Sequence, residues 1–161
     1  MKKYYIYIVT ILLLVVVIVL FSNFLLPKFS YARNVDGIDV PRFMFNPQDS
    51  QRIDEDMYCT LLEDALHYDS ISLKKFVTLD KMFDGEAGYC HGIIIVELIE
   101  RVGEDFFIES LNTISLDKKK DILAYIRVGI AYRHAEIDDR TPKEVFPKVS
   151  LFLNQGDRRD R

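Results

Sequence analysis

From Tyr4 to Leu26 the chain carries no charged residue, and this run restricts the fold more than any other stretch. At about 1.5 Å rise per residue, a helix of this length matches a hydrocarbon core of about 30 Å, and a lone segment in lipid satisfies its backbone polar groups only as a helix. Lys2 and Lys3 precede the run, Pro27 closes it, and Tyr4, Tyr5 and Tyr7 stand where rings meet headgroups. The sequence therefore predicts a transmembrane signal anchor over residues 1–26. Lys28, Arg33 and Arg42 nearly balance the cations on the amino-terminal side. Orientation then follows from a short charged region placed directly before an apolar run, the build of an export signal, which puts the long remainder outside. The competing expectation is export with cleavage near Ala32, because Ser30 and Ala32 place small residues at the two positions a signal peptidase reads. The apolar core of a cleaved signal is about 7–15 residues, shorter than this run, which favours an uncleaved single-pass anchor.

The remainder is enough for one domain with a single core. All 25 Asp and Glu lie beyond the run, whereas Lys2 and Lys3 of the 21 Lys and Arg do not, so the remainder is more acidic than the whole chain at −4. That balance argues against nucleic acid as a partner, since phosphate backbones attract clustered Lys and Arg. The mean hydropathy of +0.03 averages an oily segment with a distinctly polar domain.

Residues 27–48 hold Pro27, Pro41, Pro47 and Gly37 with few periodic apolar positions, which reads as an extended stalk or linker. Its Phe43-Met44-Phe45 cluster either tucks against the domain or offers a partner surface. Residues 49–154 read as a helical domain, and 155–161 as a polar tail. A first helix opens at Asp49 or Ser50, with Ile53, Met57, Leu61 and Ala65 on one face. Ser70 or Ser72 caps a second, which carries Leu73, Phe76, Val77 and Phe83 and ends at Gly85 as a left-handed cap. Ile93 to Val96 would suit a buried strand, but Leu98, Ile99 and Val102 restore helical spacing and give a buried central helix. Gly103 ends it, Glu104 and Asp105 start a short helix, and Ser115 with Asp117 open another, in which Leu116, Leu123, Ile126 and Ile130 face the core and Lys118, Lys119 and Lys120 face solvent. Thr141-Pro142-Lys143-Glu144 is a capping box with Pro at the first helical position. Pro147 stops that helix, and the alternation of Val149, Leu151 and Leu153 suggests a short extended segment. The fold class is all-α: the anchor, then a small antiparallel helical bundle or a stack of helix pairs.

Gly92 and Gly129 interrupt strongly apolar helices at a cost of about 1 kcal/mol each relative to Ala, and close helix–helix packing is the expected reason. Cys59 and Cys90 are either a disulfide, if the domain faces an oxidising space, or two small buried hydrophobes. Chemistry has few footholds. Cys90 and His91 are adjacent and point about 100° apart on a helix, so a shared metal would need His67 or His134 brought in by the fold. His134-Ala135-Glu136-Ile137-Asp138-Asp139 has metal-ligand residue types in a turn, where carboxylates are commonplace. Glu97 and Glu100 share a helix face as paired carboxylates or as a solvated stripe. No catalytic motif or cofactor fingerprint is present, and no cofactor is expected. The function expected is a membrane-anchored, extracytoplasmic protein-binding domain, for which an immunity-type inhibitor of the envelope is one instance. The alternatives are a metal-dependent or carboxylate enzyme built on Cys90, His91 and Glu97, and a structural subunit of a membrane complex.

Overall fold

Asp54, Asp69 and Ser115 start three of the helices by the same local chemistry: each side-chain oxygen accepts from a backbone N–H three residues on, at 2.8, 2.6 and 3.4 Å. The computed structural model describes residues 32–45, 53–79, 83, 85–134 and 136–155. In them the chain is mostly helical: β1 (Arg33–Val35) and β2 (Ile38–Val40), a 3-10 turn (Arg42–Phe45), α1 (Glu55–Leu66), α2 (Ser70–Val77), α3 (Gly85–Val102), α4 (Glu104–Ser110), α5 (Leu116–Tyr132), α6 (Pro142–Val145) and α7 (Pro147–Asn154). No helix among these residues is long and apolar enough to cross a membrane. The charge-free run of residues 4–26, with its reading as an anchor, and the polar tail beyond Gln155 lie outside the described residues.

The stalk expected over 27–48 is not what residues 33–45 form. Asp36 (φ 47°) and Gly37 (φ 89°) are both left-handed, which makes the two-residue turn that matches strand twist, and β1 pairs antiparallel with β2 in the register Arg33–Val40, Asn34–Asp39, Val35–Ile38. The inward positions Val35, Ile38 and Val40, followed by Met44, are buried in the domain core. Arg101 of α3 reaches over the turn, its guanidinium donating to the Asp36 carbonyl at 3.1 Å. This placement also puts Phe45 edge-on against Tyr58 at 5.3 Å between ring centres, while Phe43 is exposed.

Helix α3 is the axis of the domain, with nine of its residues buried, Ile94, Ile95, Leu98 and Ile99 among them. It meets α5 at the two glycines. A Cβ on Gly92 would lie 2.5 Å from the Tyr125 carbonyl oxygen, and one on Gly129 would lie 2.1 Å from the Gly92 carbonyl oxygen and 2.8 Å from Val96 Cγ2. Contacts climb both helices together, from Gly92 beside Tyr125 to Val96 beside Gly129 to the Glu100–Arg133 ion pair. The two longest helices therefore run in the same sense through their crossing, not antiparallel as short turns would give, because α4 and the turn after it carry the chain back between them.

Other boundaries differ from the sequence pattern for local reasons. On α1 the buried face is Tyr58, Cys59, Leu62 and Ala65, one residue round from the expected stripe, and Met57 is exposed. Asp69, not Ser70 or Ser72, caps α2, and its carboxyl is held below the usual range by the Ser72 N–H. That helix ends at Val77 rather than running on through Phe83, with the Thr78 hydroxyl donating to the Lys74 carbonyl at 2.8 Å. Gly85, left-handed at φ 50°, stands at the start of α3 instead of closing α2. Residues 147–154 are helical, not extended: Pro147 takes the first helical position, and Val149, Ser150 and Leu153 are buried at helical spacing while Leu151 faces out. Helix α7 is fixed by Glu104, which accepts from the Val149 N–H at 2.8 Å, and by Lys119, which covers the Phe152 ring at 3.8 Å rather than standing free in solvent.

Candidate functional site

Two places bring chemically distinctive side chains together. The first is internal. His91 is 0% exposed, and its Nδ1 stands 2.9 Å from the Tyr58 hydroxyl oxygen, a hydrogen-bond distance. Phe83, Tyr125, Phe76 and Tyr58 surround the imidazole with ring centres at 4.7, 5.1, 5.2 and 5.7 Å. Tyr125 in turn donates to the Phe83 carbonyl at 3.3 Å, which ties the cage to the start of α3. Burial pushes the Tyr58 phenol well above its ordinary pKa, so it keeps its proton. The cage joins α1, α2, α3 and α5 around one polar pair. It gives the imidazole no open face for a substrate.

The other residues of the enzyme alternative point elsewhere. Cys90 is half-buried and Cys59 buried, both as free thiols, and burial raises the pKa of each, which works against a reactive thiolate. Glu97 is half-buried, and desolvation first, then the neighbouring Glu100, raises its carboxyl. Glu100 itself is engaged by Arg133. His67 lies 3.5 Å from Asp36, and Nε2 of His134 accepts from Arg133 Nε at 2.8 Å. Asp138 is gripped by the Arg140 guanidinium at 2.7 Å. That grip holds its carboxyl down at about 2. Among the described residues no group of three or more His, Cys, Asp or Glu is arranged to hold a metal ion.

The second place is open to solvent. Helices α2 and α4 flank a groove of about 710 Å³. One wall is α2, which contributes Ser70, Ile71, Lys74, Lys75 and Thr78; the other is α4 with its following turn, which contributes Phe106, Glu109, Ser110, Asn112 and Thr113. Lys74 Nζ donates across the groove to the Thr113 hydroxyl at 2.6 Å. Tyr68 stands at one end and packs edge-on against Phe106 at 5.0 Å. Tyr68 and Ile71 are 58% and 65% exposed, a great deal for side chains of this kind on a folded domain.

Tyr68 has an unusual backbone as well. Its N–H donates to the Ala65 carbonyl, and that of Asp69 to the Asp64 carbonyl, the two hydrogen bonds of a Schellman motif closing α1. The left-handed residue of that motif is ordinarily Gly, yet here it is a tyrosine at φ 65°. A bulky residue in this region costs about 1–2 kcal/mol, and such strain gathers at functional positions. The strained residue and the exposed groove coincide.

The sequence marks His91 but not the rings that enclose it, and it marks no part of the groove. The groove's components are ordinary residues on two helices whose adjacency is a tertiary fact, and nothing in the sequence around Tyr68 signals its left-handed backbone. No family model matches the chain, and no curated protein or solved structure is significantly similar to it.

Proposed function

We propose that the chain is a membrane-tethered recognition domain, anchored by the apolar run of residues 4–26 with its helical body outside, and that it binds another protein along the α2–α4 groove. The observation that carries this reading is the groove itself, with the strained, exposed Tyr68 and the exposed Ile71 placed beside two lysines. The occupant is a polypeptide segment. Exposed apolar side chains supply anchors, and Ser70 and Asn112 line the groove with polar groups that backbone amides can pair with. A pocket for a small apolar ligand would be lined mostly by hydrocarbon instead. An inhibitor that guards the envelope against a toxic partner is one form such a domain takes. Enzymatic use of Cys90, His91 and Glu97 has less support, since the imidazole is sealed by four rings and the three side chains do not converge on one opening.

Site-directed photo-crosslinking in native membranes tests the reading. A benzophenone amino acid at Ile71 is expected to give a discrete protein adduct that survives replacement of residues 1–26 by an unrelated anchor. The same probe at Leu151, exposed on α7, is expected to give none. Adducts at Leu151 and none at Ile71 would move recognition away from the groove.

A further inference from the structure

Among the described residues neither Lys74 nor Lys75 takes part in an ion pair, although the domain around them is rich in carboxylates. Lys74 is held by a neutral hydroxyl, that of Thr113. Lys75 is close enough to Asp69 to help lower that carboxyl, but the main cause there is the Ser72 N–H. Both lysines lie in the last turn of α2, beside its exposed carbonyl end. They give the groove a positive wall beside the apolar Ile71, with Phe106 opposite and Tyr68 at one end. Glu109 makes the facing wall acidic. A ligand that satisfies both walls carries a carboxylate toward α2 and hydrogen-bond donors toward α4.

We infer that the groove takes a polypeptide segment in which an Asp or Glu stands next to an aromatic or branched apolar residue, the carboxylate meeting Lys74 and Lys75 and the apolar side chain seated between Tyr68, Ile71 and Phe106. This rests on the protein-binding reading above and adds the chemistry of the partner. Exposed charge pairs add little affinity singly and are weakened by salt, so the lysines select and the apolar contacts hold. Thr113 pre-positions Lys74, which reduces the side-chain entropy lost on binding. Glu109 sets direction, because a segment entering reversed would bring its carboxylate against that side chain.

The test uses the full chain in detergent micelles and a phage-displayed library of random dodecapeptides. The expected result is enrichment of acidic residues adjacent to Phe, Tyr, Leu or Ile. A fluorescein-labelled selected peptide is then expected to bind about tenfold more weakly to the Lys74→Glu, Lys75→Glu double variant, and to weaken similarly with Ile71→Glu. Lys143→Glu, outside the groove, is expected to leave binding unchanged. Because reversing two charges beside the carbonyl end of α2 and removing the Lys74–Thr113 hydrogen bond is expected to lower the melting temperature, binding is compared at a temperature where circular dichroism shows every variant folded, and the neutral Lys75→Gln provides a milder version. Selected peptides that lack acidic residues, or whose binding ignores both groove variants, would overturn the inference while leaving protein recognition standing. Failure to select any peptide would overturn both.

Discussion

At the α3–α5 crossing and at the α2–α4 groove two helices lie side by side, and the chain treats the two meetings in opposite ways. At the crossing Gly92 and Gly129 let backbone touch backbone, leaving no room even for a methyl group. At the groove the helices are separated by hydroxyls, lysines and partly exposed rings, and about 710 Å³ is left open. The crossing is where the sequence accepts glycine's helix penalty to gain contact. The groove is where it accepts a left-handed tyrosine whose side chain, among the described residues, packs edge-on against Phe106 and is otherwise largely exposed. Strain that yields packing needs no further explanation; strain that yields exposure asks for a partner.

The contrast can be broken most forcefully at the crossing. Gly129→Ala is expected to destabilise the domain by about 3 kcal/mol, since the new methyl meets a backbone carbonyl that cannot swing aside, and Gly92→Leu to prevent folding. Urea denaturation of the purified protein measures both, and an unchanged midpoint for either would mean the helices do not meet at these residues. Next in size is the caged pair: Tyr58→Phe removes the hydroxyl from His91 and is expected to cost about 1–3 kcal/mol by the same measurement. At the groove the sign of the argument reverses. Ile71→Glu is expected to shift stability by no more than about 0.5 kcal/mol, as for other exposed sites, while weakening binding of the groove's peptide about tenfold. Tyr68→Gly separates the two regions more finely: relief of about 1–2 kcal/mol of backbone strain is offset by glycine's entropy and the lost Phe106 contact, so its melt should overlay the parent while peptide binding falls.

The smallest effect lies outside both regions. Asp138 is held down at about 2 by Arg140, below its ordinary 3.8, so the folded state binds fewer protons there than the unfolded chain. The stability it contributes is present above about pH 4 and lost as pH falls toward about 2. Carbon-detected NMR titration of this carboxyl reads it directly, and Arg140→Ala is expected to return it toward the ordinary carboxylate range. A titration unmoved by that substitution would assign the depression to some other group.

The features legible in the sequence were those decided within a few residues. Thr141 and Glu144 form the reciprocal cap that their spacing describes, the Glu144 carboxylate accepting from the Thr141 N–H at 2.7 Å. Helix α3 could be read because Leu98, Ile99 and Val102 extend an apolar run past the length of a strand. The hairpin was legible too, in Asp36-Gly37 between alternating apolar residues, but the prolines on either side drew the segment toward a linker. Alternation misled again at Val149 to Leu153, where Pro147 begins a helix and the period of two is incidental. The parallel sense of α3 and α5, the cage around His91 and the groove all depend on which helices become neighbours. Nothing local in Tyr58, Lys74 or Phe106 encodes that.

The hairpin also decides where this chain can be cut. Val35, Ile38, Val40 and Met44 fill the core from a segment that looks dispensable on paper, and burial of side chains of this size contributes about 1.5–3 kcal/mol each. Removing all four strips out a sum comparable with the whole stability of an ordinary domain, about 5–15 kcal/mol. A fragment begun at Asp49, the natural choice for someone removing the apolar run and the linker-like segment after it, would open an oily trough along α3, whereas one begun at Ala32 keeps the trough filled.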